Sequence, residues 1–338
     1  MINKIALAGC GNVGTALLEI LHDKKDLLKE RYGFEYKVVL VSDLMKGVAL
    51  DANGIDLDML LDNLHARKPI GAADTTDLGT LLDKSGATVL AECTPTDVQT
   101  GEPGLSHFRA ALTRGVSVTT TNKGPIAVAF DELRKLAAEH GAKIGYEGVV
   151  MSGTPLLDMA ENGLAGCSVL GVEGILNGTT NFILTRMDEG ASYADALTEA
   201  IEKGYAEADP TGDIEGWDAA VKVVILAKLL YNKNISVNDV VRIGIAQMKS
   251  EQIEMAHRNG YRVKLIAGIS FDANGVMRPY VMPKELPLSH PLASIGGATN
   301  AVTLKTDNLG DVTLIGPGAG RRETGQALLS DMIRMNVR

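Results

Sequence analysis

Gly9-Cys10-Gly11-Asn12-Val13-Gly14 follows the short apolar run Lys4-Ile5-Ala6-Leu7-Ala8 and leads into a helical pattern carried by Ala16, Leu17, Leu18, Ile20 and Leu21. A G-x-G-x-x-G turn set between a strand and a helix predicts a βαβ unit of a parallel sheet that binds a dinucleotide. Gly9 permits the tight turn, Gly11 lets the backbone approach a pyrophosphate, and Gly14 lets helix and strand pack closely. The helix N-terminus, at Asn12 and Val13, faces the phosphates.

The helix is expected to run through the charged segment Lys24 to Arg31 until Gly33 stops it, and Tyr36 to Val41 supplies a second buried strand closed by Ser42-Asp43. An acidic residue there suits the adenosine ribose; it lies further from the glycine turn than the usual ~20 residues, a surplus that the long helix accounts for. Lys46, just past this strand, suits a 2′-phosphate, so NAD and NADP both stay open. Residues 51–82 read as a polar, partly helical insertion. The pattern then resumes: a strand over Ala87 to Cys93 ending in Thr94-Pro95-Thr96, a helix over Leu105 to Arg114, a strand over Val116 to Thr121 and a helix over Phe130 to His140. Strands alternating with helices predict a parallel sheet, whose ligands sit beyond the carboxyl ends of the strands, where Thr94, Pro95 and Lys123 fall. After Lys143-Ile144-Gly145-Tyr146, the glycine-rich segment Glu147 to Pro155 reads as a hinge, or as a carbonyl site for a hard monovalent cation.

With 338 residues the chain exceeds one ordinary core, and two domains are expected: 1–150 binding the dinucleotide, 151–305 binding substrate, and 306–338 returning to the first. A net charge of −9 disfavours nucleic acid and anionic membranes, which call for clustered Lys and Arg. Cys10, Cys93 and Cys167 are scattered and odd in number, as in a reducing cytoplasm, and no apolar run approaches a membrane-spanning length.

In the second half, Leu170 to Leu176 reads as a strand and Asn177-Gly178-Thr179-Thr180-Asn181 as a turn offering small polar groups, with a helix from about Phe182. Val263 to Ile269 and Gly275 to Val281 read as paired strands. Val312 to Ile315 reads as a strand entering Gly316-Pro317-Gly318-Ala319-Gly320, with Glu323 to Met335 as the closing helix. The densest chemistry is Gly204 to Lys222, where Asp209-Pro210 ends a helix, Glu207 falls on a loop and a new helix starts near Asp213. Asp218 and Lys222 stand four apart before the apolar run Val223 to Ala227. That spacing alone also fits a solvated ion pair contributing about 0.3–0.5 kcal/mol.

Eight motifs in order, GCGNVG, ECTPT, TTTNKGP, YEGVVMSGTP, GILNGTTNFI, GYAEADPTGDIEGWDAAVK, HPLASIGG and GPGAG, make nearly the whole chain resemble the homoserine dehydrogenases. The resemblance implies a homodimer with a Rossmann-type parallel sheet domain and an α/β substrate and dimerisation domain, interconverting L-homoserine and L-aspartate 4-semialdehyde with NAD or NADP. It also implies catalytic roles for Lys123 and Lys222, substrate binding by Glu207, Asp218, Gly178 and Thr179, and cofactor contacts from Thr94, Pro95 and Gly318. A sodium site at Glu147 with the carbonyls of Val150, Ser152 and Thr154 is implied as well. Ser152 and Thr154 depart slightly from the family pattern, which carbonyl ligation tolerates. The chain ends before the C-terminal regulatory module of several relatives, so feedback through such a module is not expected. A dehydrogenase of another small amino acid, or a non-catalytic NAD(P) sensor, would use the same frame.

Overall fold

The computed structural model of the chain describes residues 2–337. Among them, twelve strands form two six-stranded sheets, and the chain divides into two compact units, one ending at Gly153 and resuming at Gly320, the other spanning Thr154–Ala319.

In the first unit, β1 (Asn3–Ala8), β2 (Tyr36–Asp43), β3 (Gly47–Leu50), β4 (Val89–Glu92), β5 (Ser117–Thr120) and β6 (Ile144–Gly145) lie in the order β3-β2-β1-β4-β5-β6. All neighbours are parallel except β3, which is antiparallel to β2 on the edge. The chain winds outward from β1 in one direction to β2 and in the other to β4, so the carboxyl ends of β1 and β4 flank the crevice where such sheets take their ligands. Parallel strands are covered on both faces, which accounts for the unbroken buried runs Ile5–Ala8 and Val38–Val41.

The long helix expected after the glycine turn is two helices, Asn12–Asp23 and Lys25–Tyr32, because the backbone leaves helical geometry at Lys24 (φ −110°, ψ 14°). Gly33 ends the second, as expected, with its N–H on the carbonyls of Leu28 and Lys29. The insertion follows the edge strand β3 and contributes the helix Leu57–His65 and the start of Leu78–Ser85, each capped by an aspartate side chain, Asp56 and Asp77. The C-terminal helix Arg321–Val337 packs on Asn12–Asp23, and Leu328, Leu329 and Met332 share a core with Leu17, Leu18 and Leu21.

In the second unit, β7 (Val169–Ile175), β8 (Val241–Arg242), β9 (Tyr261–Phe271), β10 (Met277–Pro287), β11 (Thr299–Thr306) and β12 (Gly310–Pro317) lie in the order β12-β11-β7-β9-β10-β8. The paired strands expected around Val263 and Val281 are the antiparallel hairpin β9–β10, in register from Tyr261 opposite Pro287 to Phe271 opposite Met277. The return to the first unit begins at Gly320 and not at residue 306. β12 is antiparallel to β11, and the tight connection between them, with Gly310 at φ 70° and the Thr306 hydroxyl on the Gly310 carbonyl, keeps both strands in one sheet. The helix expected near Asp213 is a short turn, Thr211–Ile214, followed by Trp217–Tyr231, which is buried continuously from Ala219 to Lys228. A helix apolar on every side sits in an interior, and Lys222 goes in with it.

Lys264 on β9 is buried at 4 % exposure, its nitrogen donating to the Ile295 carbonyl at 2.6 Å and the Asn181 side-chain oxygen at 3.2 Å. Burial pushes its pKa down from 10.5 to about 8. Between those values the unfolded chain binds more protons than the folded one, so the contribution of this lysine to stability rises as pH increases and is lost as pH falls through 8. The unfolding free energy of the wild type minus that of Lys264→Met is therefore expected to grow by about 3 kcal/mol between pH 7 and 10.5. Denaturant unfolding at a series of pH values checks this, and a pH-independent difference would contradict it.

Candidate functional site

The glycine loop has the geometry its spacing predicts. Gly9 has φ 85°, and a Cβ there would sit 2.7 Å from the Cys93 carbonyl oxygen, so the ends of β1 and β4 close on each other only without a side chain. A Cβ on Gly14 would sit 2.4 Å from the Gly9 carbonyl, whereas one on Gly11 would meet no heavy atom within 4 Å. The open space over Gly11 is where a ligand can approach the backbone. No side chain caps the helix that begins at Asn12 and no acidic residue lies in its first turn, which suits the N–H groups of Asn12, Val13 and Gly14 to an anion.

Asp43 supports this loop. Its carboxylate accepts the Cys10 N–H at 2.7 Å and those of Met45 and Lys46 at 3.0 and 3.1 Å. Lys46 directs its nitrogen onto the Cys10 carbonyl. Burial pushes the Cys10 thiol up to about 11, so it packs and does not react as a thiolate. Arg321 bonds the Asn12 carbonyl and the Glu19 carboxylate, and Arg322 pairs with Asp23.

Thr94 and Pro95 follow β4, and Thr121-Asn122-Lys123 follows β5, so both groups stand at carboxyl ends. Asn122 caps the helix Lys123–Glu139, accepting the Gly124 N–H at 3.0 Å, and Lys123 is its half-buried first residue. The span is two helices joined at a kink, with Ala129 out of helical geometry (φ −137°, ψ 22°). The second is the helix expected from Phe130, and the Asn122 cap with Pro125 in the first turn adds a short helix from Lys123 that the apolar pattern did not show.

In the second unit, Lys222 is 6 % exposed and donates to the Leu176 carbonyl at 2.6 Å and the Asp218 carboxylate at 2.7 Å. The pair is not the solvated one that its spacing also allowed. Asn177 joins it: its Nδ2 reaches Asp218 at 3.1 Å and Asp213 at 2.6 Å, while its Oδ1 caps the next helix through the Thr180 N–H at 2.9 Å. That cap starts the helix at Gly178, earlier than the expected Phe182. Burial, with the Asp218 carboxylate nearby, holds Asp213 above the usual carboxylate range. The Thr179 hydroxyl donates to the Tyr205 carbonyl at 2.5 Å, and Gly178 lies against the Ala298 carbonyl and the Asn300 side chain.

The structure therefore brings Lys222, Asp218, Gly178 and Thr179 around one turn, and adds Asn177 and Asp213, which the sequence pattern marks only as turn formers. Asparagine directly before Gly-Thr-Thr was the available signal for Asn177. Glu207 is exposed on the Ala206–Pro210 loop and makes no hydrogen bond or ion pair among the described residues. Gly318 is packed against the Asn300 side chain, where a Cβ would lie 2.0 Å from its Cγ.

Glu147, Val150, Ser152 and Thr154 are all buried. The Glu147 carboxylate pairs with Arg334 at 3.4 Å, and its N–H donates to Asp331, whose carboxyl burial pushes up to about 6. Ser152 has φ 52°, a conformation that side chains rarely adopt, and the Thr154 carbonyl accepts the Leu156 N–H at 2.8 Å. Among the described residues no three His, Cys, Asp or Glu side chains are grouped as metal ligands, and no helix is long and apolar enough to cross a membrane.

A Rossmann-type sheet with an open glycine loop, joined in one chain to an α/β unit that buries a lysine among carboxylates, defines a nicotinamide-dependent oxidoreductase. Comparison with known proteins narrows the class. The profile of the homoserine dehydrogenase NAD-binding domain matches residues 9–147, and that of homoserine dehydrogenase matches residues 155–333. The chain is 45 % identical over 338 residues to an NAD(+)-dependent homoserine dehydrogenase of Pseudomonas canavaninivorans, covering 98 % of this chain and 96 % of that one. It is 37 % identical to the homoserine dehydrogenase of Methanocaldococcus jannaschii, with 98 % of each covered. The crystal structure of a putative homoserine dehydrogenase from Archaeoglobus fulgidus superposes with a TM-score of 0.88 at 36 % identity, covering 98 % of this chain and 99 % of that one. A hyperthermophilic archaeal homoserine dehydrogenase in complex with NADPH superposes at 0.84 with 31 % identity, covering 100 % of this chain and 98 % of that one. The chain belongs to the homoserine dehydrogenase family, whose members are NAD(P)-dependent oxidoreductases.

Two glycine substitutions separate folding from binding. Gly11→Ala enters open space and is expected to leave the melting temperature within ~2 °C of wild type while weakening NAD(P)H binding at least ~10-fold, because the pyrophosphate must approach that backbone. Gly14→Ala meets the Gly9 carbonyl and is expected to lower both. Thermal melts and NAD(P)H fluorescence titrations read the two effects.

Proposed function

We propose that this chain interconverts L-homoserine and L-aspartate 4-semialdehyde, with Lys222 moving the proton at the substrate oxygen. The observation that carries this reading is the buried Lys222 nitrogen, fixed by Asp218 and the Leu176 carbonyl beside the Asn177–Thr180 turn. When bound, the nicotinamide supplies the hydride chemistry at the substrate carbon. In the reducing direction Lys222 protonates the oxygen as it becomes an alkoxide, and in the oxidising direction it takes the hydroxyl proton. Lys123 orients the substrate and provides a second positive charge. Glu207 and Asp218 hold the substrate ammonium and the lysine, Asp213 extends that acidic group, and Gly178 and Thr179 shape the substrate turn.

NAD is the preferred cofactor in this reading. The Asp43 carboxylate stands at the end of β2, where a 2′-phosphate would meet like charge, and Lys46 is directed at the Cys10 carbonyl. Gly9, Gly11, Asn12, Val13 and Gly14 cradle the pyrophosphate, with Thr94, Pro95 and Gly318 as further contacts. The left-handed backbone at Ser152 supports a carbonyl site for sodium made by Glu147, Val150, Ser152 and Thr154, with a structural role. The same reading makes the protein a cytoplasmic homodimer, assembled through its second unit, that serves threonine and methionine biosynthesis.

Initial rates on L-homoserine with NAD+ and NADP+ side by side, with and without sodium chloride, test the activity and the cofactor. NAD+ is expected to give the higher kcat/KM, and absence of homoserine-dependent reduction of either cofactor would remove the reading. Lys222→Met, which keeps the side-chain volume, is expected to lose at least ~100-fold in kcat with cofactor Kd unchanged. Turnover close to wild type by that variant would reassign the proton.

A further inference from the structure

Glu92 ends β4 and is completely buried, a carboxylate closing an otherwise apolar strand. Its Oε1 accepts the Thr94 N–H at 3.1 Å, the Thr94 hydroxyl, and His107 Nδ1 at 3.3 Å. Both its Oε2 and its main-chain carbonyl lie 3.1 Å from the Thr120 hydroxyl of the neighbouring strand β5, which shares its one proton between them. Thr120 passes the connection on, because its oxygen accepts the Asn122 N–H at 2.9 Å. Asn122 then caps the helix that begins with Lys123, and turns its Nδ2 back toward the carbonyls of Thr94 and Pro95 at 3.5 and 3.3 Å. One buried carboxylate thus ties the loop after β4 to the loop after β5.

The preceding residue is held too. Thr119 donates its hydroxyl to the buried Asp331 of the C-terminal helix at 2.9 Å. Adjacent residues of a strand point to opposite faces, so β5 is pinned on both faces just before the chain reaches Lys123. Burying a carboxylate costs several kcal/mol that an apolar side chain would not, and strand packing alone does not call for it. What the carboxylate adds is a fixed position for the polar loops that follow it.

We propose that Glu92 is a positioning residue for the reaction, acting through Thr120 and Asn122 to fix where Lys123 leaves the sheet. This rests on the substrate-orienting role given to Lys123 above. Displacing a reacting group by about 1 Å costs up to ~100-fold in rate, so the relay has a kinetic signature that a merely stabilising link lacks.

Thr120→Val removes the hydroxyl and keeps the branched shape, while Thr120→Ser keeps the hydroxyl. Steady-state kinetics on L-homoserine with NAD+, together with melting temperatures, compare both with wild type, Glu92→Gln and Lys123→Met. Thr120→Val is expected to lower kcat at least ~10-fold per folded molecule with KM for NAD+ within about twofold, and Thr120→Ser to recover most of that loss. Glu92→Gln, which keeps the shape but replaces one acceptor oxygen by a donor, is expected to lower kcat in the same sense and serves as the deciding variant if Thr120→Val does not fold. Wild-type kcat per folded molecule in whichever of these two variants folds, or equal losses in Thr120→Val and Thr120→Ser, would overturn the proposal. If Lys123→Met retains full turnover, the role of Lys123 fails instead, whatever the threonine variants show.

Discussion

Taking a lysine nitrogen and a carboxylate out of water costs several kcal/mol per ion unless neighbouring groups complete their hydrogen bonds, and this constraint shapes the second unit around Lys222 and Asp218. The Leu176 carbonyl is free to receive Lys222 because β7 has just ended and its ladder no longer needs that oxygen. Asn177, the next residue, reaches Asp218 and Asp213 with one end of its amide and caps a helix with the other. A strand end, a cap and an ion pair are therefore one structure. The helix Trp217–Tyr231, buried continuously from Ala219 to Lys228, takes the lysine out of water, where an ammonium held against a carboxylate would contribute little.

The first unit meets the same requirement in a different way. Where β1, β4 and β5 end, backbone N–H groups lose their ladder partners, and side chains at the strand ends replace them: Asp43, closing β2, on Cys10, Glu92 on Thr94, Asn122 on Gly124. Gly9 and Gly14 bring β1, β4 and the first helix so close that a Cβ at either would collide with a carbonyl oxygen. Gly11 is the counterpart, exposed over empty space. Packing glycines and an approach glycine have separate physical tasks within six residues, and that is why the motif is informative as a set.

How much was legible follows from the range of each interaction. The glycine turn, the alternation of strands and helices, the β9–β10 pairing and the stop at Gly33 all rest on neighbours in the chain, and the structure has them where the pattern put them. The helix start at Gly178 was placed late, and the short helix from Lys123 to the kink at Ala129 was missed, because apolar periodicity was followed and the caps Asn177 and Asn122 were given less weight than they carry. The break at Lys24 has no glycine or proline to announce it. Glu92, Thr120 and His107 were passed over because the relay joins residues up to 28 apart, although a glutamate closing the run Val89-Leu90-Ala91 was a visible oddity.

By itself the sequence determined the class of fold, the position of the dinucleotide turn and, through eight ordered motifs, the family, because these depend on residue type and local spacing. It could not decide whether the Asp218–Lys222 pair was wet or buried, since an i,i+4 spacing is the same on a helix surface and in a core. Nor could it decide to which sheet Gly310–Pro317 belonged, because a strand pattern does not name its partner. Those two outcomes were set by tertiary packing: the helix carrying Lys222 is enclosed on all sides, and the Thr306–Gly310 turn folds β12 back onto β11 before the chain leaves at Gly320.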